Sequence, residues 1–117
     1  MVESKRGALQ ICVKAALKRK VIDLAILEMK LTPLLVDYFV ICSGTSTRQV
    51  KSIASYIEGE LKKEGFLSLA LEGVKEANWI LMDYGSFVMH IFYEPVRNFF
   101  DLEGLWSDVP RIPVDEC

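Results

Sequence analysis

The chain is poor in the side chains from which catalytic and metal centres are usually built. Its 117 residues include one histidine, His90, and three cysteines, Cys12, Cys42 and Cys117. No two cysteines are spaced C-x-x-C, the three lie far apart, and only one histidine is present, so no metal and no cofactor is expected. Cys12 and Cys42 lie inside apolar runs and read as small buried hydrophobes. No apolar run is long enough to cross a bilayer, and the opening MVESKRG lacks the apolar core of a signal peptide. A reduced, cytoplasmic setting of the bacterial type fits, as does the mature form of an organellar protein. Internal repeats and low-complexity segments are absent.

What is present describes a globular domain. Hydrophobic residues make up 51% and charged residues 26% of the chain, and its length suffices for a real core. Fourteen basic against sixteen acidic residues give a net charge of −2. That balance does not mark a protein that grips nucleic acid as a whole, though it leaves room for a local basic patch and suits a basic protein partner.

Periodicity divides the chain into eight elements. Leu9, Cys12, Val13, Ala16 and Leu17 share one face of a helix over 8–20, whose last turn holds Lys18, Arg19 and Lys20. VIDLAILEM (21–29) is rich in branched residues and reads as a strand ending before Pro33. DYFVICS (37–43) is apolar on both alternating sets, as a central strand covered on both faces should be. Val50, Ile53, Ala54, Ile57 and Leu61 recur at helical spacing up to Gly65. A short strand is expected over 66–73, a hairpin over 79–92, and a last helix from Pro95 to about 108. The tail VPRIPVDEC (109–117) reads as loose or ordered by a partner. The expected fold is α/β (α+β), a small mixed sheet flanked by helices in the order α-β-β-α-β-β-β-α, with one domain over 1–108.

The hairpin WILMDYGSFVMHIF carries the lone histidine. With Tyr84-Gly85 as a two-residue turn, Trp79 falls opposite His90 and Met82 opposite Phe87. Trp79, Leu81, Asp83, Ser86, Val88 and His90 then share one mixed face, while Ile80, Met82, Phe87 and Met89 share an apolar one that belongs to the core. A tryptophan beside an imidazole on a mixed face suits a docking surface. It equally suits a stabilising cross-strand pair, and spacing does not separate the two. Catalysis fits poorly, because Asp83 lies four residues along the strand from Trp79 and no nucleophile joins the set.

SGTSTRQVK (43–51) runs from a strand into a helix, a place where backbone N–H groups can hold an anion. It is not a P-loop, since Gly44 has no second glycine and no Gly-Lys-Ser/Thr behind it. Ser46 and Thr47 are better read as helix caps. A nucleotide-handling enzyme using the Gly44–Thr47 turn would need paired carboxylates for magnesium. Asp23, Glu28 and Asp37 form no D-x-D pair. The last helix carries Val96, Phe99, Phe100, Leu102, Leu105 and Trp106, more apolar groups than one packing stripe needs.

Three ordered blocks, DYFVICSGTSTRQVKSIA (37–54), LEGVKEANWILMDYGSFVMHIF (71–92) and VRNFFDLEGLW (96–106), resemble the ribosomal silencing factors, or Iojap family. The resemblance implies a non-catalytic factor with a fold similar to nucleotidyltransferases but without their metal-binding acids. It implies binding to the large ribosomal subunit through large-subunit protein fourteen, a steric block to small-subunit joining, repression of translation, and a capacity to form homodimers. By position, Trp79 corresponds to the family's protein-contact surface, and Asp83, Tyr84, Gly85 and His90 match its pattern, with Leu81 on the same strand. Ser86 stands where many members have an acidic residue.

Overall fold

The computed structural model describes residues 3–116, and side chains from Gly7 onward. Two helices cover one face of a six-stranded sheet, and a broken C-terminal helix lies on part of the other. In chain order the elements are α1 (Glu3–Lys18), β1 (Ile22–Glu28), β2 (Tyr38–Gly44), α2 (Thr47–Lys63), β3 (Ala70–Glu72), β4 (Trp79–Asp83), β5 (Phe87–Tyr93), α3 (Glu94–Phe100), α4 (Leu102–Leu105) and β6 (Arg111–Ile112), with a 3-10 turn at Val114–Glu116. The expected mixed α/β architecture is therefore found. The strands lie side by side as β3-β4-β5-β2-β1-β6. Only β2 and β5 run parallel, and every other neighbouring pair is antiparallel.

Each layer follows from its pattern. On α2, Val50, Ile53, Ala54, Ile57 and Leu61 are all buried, and each large aliphatic among them contributes roughly 1.5–3 kcal/mol. Ser46 caps this helix, its Oγ accepting the Gln49 N–H at 3.0 Å. On α1, Leu9, Cys12, Val13 and Ala16 are buried as expected, but Leu17 is 50% exposed and falls outside the packed face. These helices pack against Val40, Cys42, Ile80, Met82, Phe87, Met89 and Ile91. The central β2 is buried at all seven positions. A smaller core forms on the opposite face, where Leu27, Met29, Phe39, Ile41 and Phe92 meet Val96, Leu102 and Trp106.

Four expectations require correction. The hairpin turn lies one residue further along the chain: Tyr84 N–H donates to the Phe87 carbonyl at 3.0 Å, and Ser86 N–H to the Tyr84 carbonyl at 3.1 Å, across Gly85 at φ +85°. A glycine tolerates that left-handed geometry without a Cβ penalty, and Gly85 takes the first place of a Gly85-Ser86 turn. Trp79 consequently faces Phe92, and His90 faces Leu81. The face assignments survive, because sliding the turn by one residue shifts the pairing by two.

The last helix is broken at Asp101, which adopts φ +48°, ends α3, and caps α4 by accepting the Gly104 N–H at 3.0 Å. The strand expected over 66–73 shortens to Ala70–Glu72. Finally, residues 109–117 were not expected to contain a strand, yet Arg111 and Ile112 pair with Leu27 and Ile26 on the edge of β1. The Pro110 carbonyl accepts the Glu28 N–H at 2.9 Å, and an edge position tolerates the flanking prolines. Ile112 and Val114 pack on the main core.

Candidate protein-docking surface

The hairpin face opposite α1 and α2 is organised around Trp79. Its ring stacks on Phe92 with centroids 4.9 Å apart and leans on Phe100 of α3 at the same separation. Its indole Nε1–H donates to His90 Nδ1 at 3.1 Å. Trp79 is thus half-buried, held on its edge and on two sides, and its orientation is set before any partner arrives.

His90 is a supporting residue. It is 3% exposed, and burial pushes its pKa down to about 4. Accepting the indole hydrogen bond requires a bare Nδ1, so the imidazole is neutral with its proton on Nε2, a buried atom without a hydrogen-bond partner. Phe39 meets the ring edge-on at 4.6 Å. A buried, neutral imidazole surrounded by aromatic rings is poorly placed for proton transfer at neutral pH.

The other expected site residues separate. Leu81 and Asp83 share the Trp79 face and are partly exposed. The Asp83 Oδ1 accepts the Gly85 N–H at 2.8 Å and so fixes the turn. Tyr84 turns the other way: its ring stacks on Phe87 at 5.2 Å and joins the α1/α2 core, where burial raises the hydroxyl pKa to about 12. Tyr84 therefore lies on the opposite side of the sheet from Trp79. Gly85 belongs to the turn that separates the two.

Next to Trp79 the structure adds residues that the hairpin alone did not suggest. Val96, Phe99 and Phe100 of α3, together with Gly73, Glu76 and Asn78, line an open, mainly apolar groove of about 410 Å³ beside the indole. Phe99 is 82% exposed and Phe100 48%, while Leu105 of α4 is 70% exposed. The excess of apolar groups on the last helix is thus left partly uncovered. Gly73 lets the groove form: at φ +83°, a Cβ there would sit 2.1 Å from the Trp79 carbonyl oxygen.

A second cluster escaped sequence reasoning altogether. Arg97 is 8% exposed and donates to both Glu103 carboxylate oxygens at 2.9 and 3.0 Å, to Ser43 Oγ at 3.0 Å and to the Ile22 carbonyl at 3.2 Å. Arg111 reaches the same carboxylate at 3.5 Å. The network joins α3, α4, β1 and β2, and through Arg111 it reaches β6, whose pairing with β1 rests on backbone bonds and on Ile112 and Val114. The Arg97 hydrogen bond holds the Glu103 carboxyl below the usual carboxylate range. Six residues separate Arg97 from Glu103, a spacing that no continuous helix would bring together; the break at Asp101 does so.

At the Gly44–Thr47 turn the capping role is realised. The Ser46 hydroxyl is engaged with Gln49, and both Thr45 N–H and Thr45 Oγ1 donate to the Gln49 side chain. No group of three or more His, Cys, Asp or Glu side chains able to hold a metal occurs among the described residues. Cys12 and Cys42 are buried, the Cys12 thiol lies 3.5 Å from the Met89 sulfur, and burial raises the Cys42 thiol to about 12. Cys117 lies outside the described residues. No described helix is long and apolar enough to cross a membrane.

Residues 2–117 match the family model described as "Ribosomal silencing factor during starvation". The chain belongs to this family, RsfS. It is 35% identical over 112 residues to the ribosomal silencing factor RsfS of Bacillus subtilis, covering 96% of this chain and 95% of that one. It is 36% identical over 83 residues to the mouse protein named "Mitochondrial assembly of ribosomal large subunit protein 1", covering 68% of this chain and 35% of the mouse protein. A crystal structure of a Bacillus halodurans protein superimposes with a TM-score of 0.82 at 34% identity, covering 92% and 98% of the two chains. One from Chromobacterium violaceum gives 0.84 at 28% identity, covering 87% and 85%. The RsfS relatives carry the name of a regulatory factor and not of an enzyme, and the Iojap name recurs among the plant organellar relatives.

Proposed function

We propose that this RsfS chain acts without catalysis, by docking on the large ribosomal subunit through large-subunit protein fourteen and standing where the small subunit would join, so that translation falls. The observation that carries this reading is the aromatic groove. Trp79 is oriented by Phe92, Phe100 and His90 beside an exposed Phe99, with Glu76 on the rim. Rigid aromatic anchors with a polar rim are the usual energetic centre of a protein interface. An acidic rim suits a basic ribosomal protein. The silencing-factor name of the bacterial relatives and the large-subunit name of the mouse relative point in the same direction.

In this reading Trp79, Leu81 and Asp83 face the partner, with Phe99 and Phe100 at their side. His90 holds the indole in place, and Tyr84 and Gly85 shape the turn. The setting is the cytoplasm of a bacterial-type cell, and a second copy of the chain can cover the same apolar groups when no ribosome is bound. Blocking subunit joining requires only occupancy of the joining face, so affinity and residence time set the effect.

Co-sedimentation with purified large subunits tests the docking surface. Trp79→Ala removes a central anchor and should cost about 2 kcal/mol or more, roughly a thirtyfold loss of affinity. Because Trp79 is half-buried, Phe99→Asp is the cleaner probe. Its side chain is almost wholly exposed, so the fold should persist while the protein leaves the large-subunit fraction. Undiminished co-sedimentation of both variants would sink the assignment of this surface.

A further inference from the structure

Charge is unevenly divided along the chain. Only three of the fourteen basic residues but ten of the sixteen acidic ones follow residue 63. The basic residues gather on the helical layer, on the far side of the sheet from Trp79. Lys14, Lys18, Arg19, Lys20, Arg48, Lys51, Lys62 and Lys63 are all exposed there. Lys63 is paired with Glu60 at 2.9 Å, and Arg19 bonds Ser52 and lies over the Tyr56 ring. Among the described residues, no ion pair within 4.0 Å engages Lys14, Lys18, Lys20, Arg48, Lys51 or Lys62. A net charge of −2 conceals this surface.

From this arrangement we infer that the α1/α2 layer is a second interaction surface, which binds the phosphate backbone of duplex RNA. Three features favour this partner. Arg48, Lys51, Ser55, Gly59 and Lys62 fall on one side of α2 at spacings of three or four residues, a stripe about 21 Å long. Arg48 and Lys51 at one end and Lys62 at the other bracket the small residues Ser55 and Gly59, over which a sugar–phosphate strand can approach closely, with Glu58 at the edge of the stripe. Lysines are depleted in protein–protein interfaces, and exposed aromatic anchors such as those beside Trp79 are missing from this stripe. Of the described apolar residues on α1 and α2, only Leu17 is a large exposed hydrophobic, so the layer lacks the apolar wedge with which a helix enters a lipid surface. Both helices pack flat on the sheet, and neither projects as a B-form major groove requires. A flat basic surface suits the wide, shallow minor groove of A-form RNA. The protein would thus hold a protein with one face and RNA with the other, and the two activities are separable.

Fluorescence anisotropy with a labelled RNA duplex of about 16 base pairs and the full chain tests this directly. Neutralising about four phosphates predicts a log–log salt slope near −3.6, so affinity should fall roughly 10²-fold between about 50 and 200 mM salt. The double variant Lys51→Gln/Lys62→Gln, at two exposed positions, should flatten that slope by about 2 and weaken low-salt binding at least roughly tenfold. Phe99→Asp should leave RNA binding unchanged, so the groove and the basic layer can fail independently. A DNA duplex of equal length should bind roughly tenfold more weakly. No binding near 50 mM salt, equal affinity for DNA, retention on phosphatidylserine vesicles in place of RNA, or loss of binding in Phe99→Asp but not in the lysine variant would each overturn the proposal.

Discussion

Removing the Glu103 carboxylate is the sharpest test of how the C-terminal half is held. In Glu103→Ala the Arg97 guanidinium, with its side chain 9% exposed, loses two charge-assisted bonds and keeps only those to Ser43 and Ile22. A buried cation left without its counter-charge costs roughly 3–5 kcal/mol. The two surviving bonds place the expected loss at the lower end, about 3 kcal/mol. Arg97→Met leaves the carboxylate behind instead, but that group is 21% exposed and still has Arg111 at 3.5 Å, so its loss should be smaller, about 1–2 kcal/mol. Urea denaturation of wild type, both single variants and the double variant forms a closed cycle, with an expected coupling of about 1–3 kcal/mol. In thermal melts Glu103→Ala should lower the midpoint by roughly 12 °C at about 4 °C per kcal/mol. A Glu103→Ala protein within about 0.5 kcal/mol of wild type would refute the view that this network ties α3, α4 and β6 to the sheet.

Further consequences follow from His90 and Gly73. His90 titrates near 6.5 when unfolded but at about 4 when folded, so its contribution is fully present above pH 6.5 and is lost as pH falls from 6.5 to 4. Wild type should lose roughly 2–3 kcal/mol more than His90→Phe across that window; parallel stability–pH curves for the two proteins would contradict it. Gly73→Ala should destabilise the chain by well over about 1 kcal/mol, because its Cβ collides with the Trp79 backbone and must also adopt φ +83°. An unchanged denaturation midpoint in that variant would show that the loop before Trp79 is free to move.

The helices and the two central strands were legible because burial imposes a period. The apolar stripe of α2 and the unbroken run of β2 leave little choice of face. The face split of the hairpin was legible for the same reason, since alternation is insensitive to a one-residue error in the turn. The register was not. It depends on which residue takes the left-handed conformation, and Gly85 can occupy the first position of a Gly85-Ser86 turn as readily as the second of Tyr84-Gly85. The break at Asp101 was also hidden, although Asp101 followed by Gly104 is a capping signal in retrospect. Long-range partners left no local trace: Arg97 meets Ser43 and Ile22 across more than fifty residues, and β6 pairs with a strand more than eighty residues earlier. Of the site, Trp79 was visible as an aromatic on a mixed face. The contribution of Phe99 and Phe100 needed the fold that lays α3 beside it.

Subunit joining, followed by light scattering with purified ribosomal subunits, tests the central claim most directly. Saturating amounts of the chain, bound first to large subunits, should suppress formation of the joined ribosome, and Phe99→Asp should restore it. Joining that proceeds at the same rate and to the same extent with the wild-type chain bound would contradict the account.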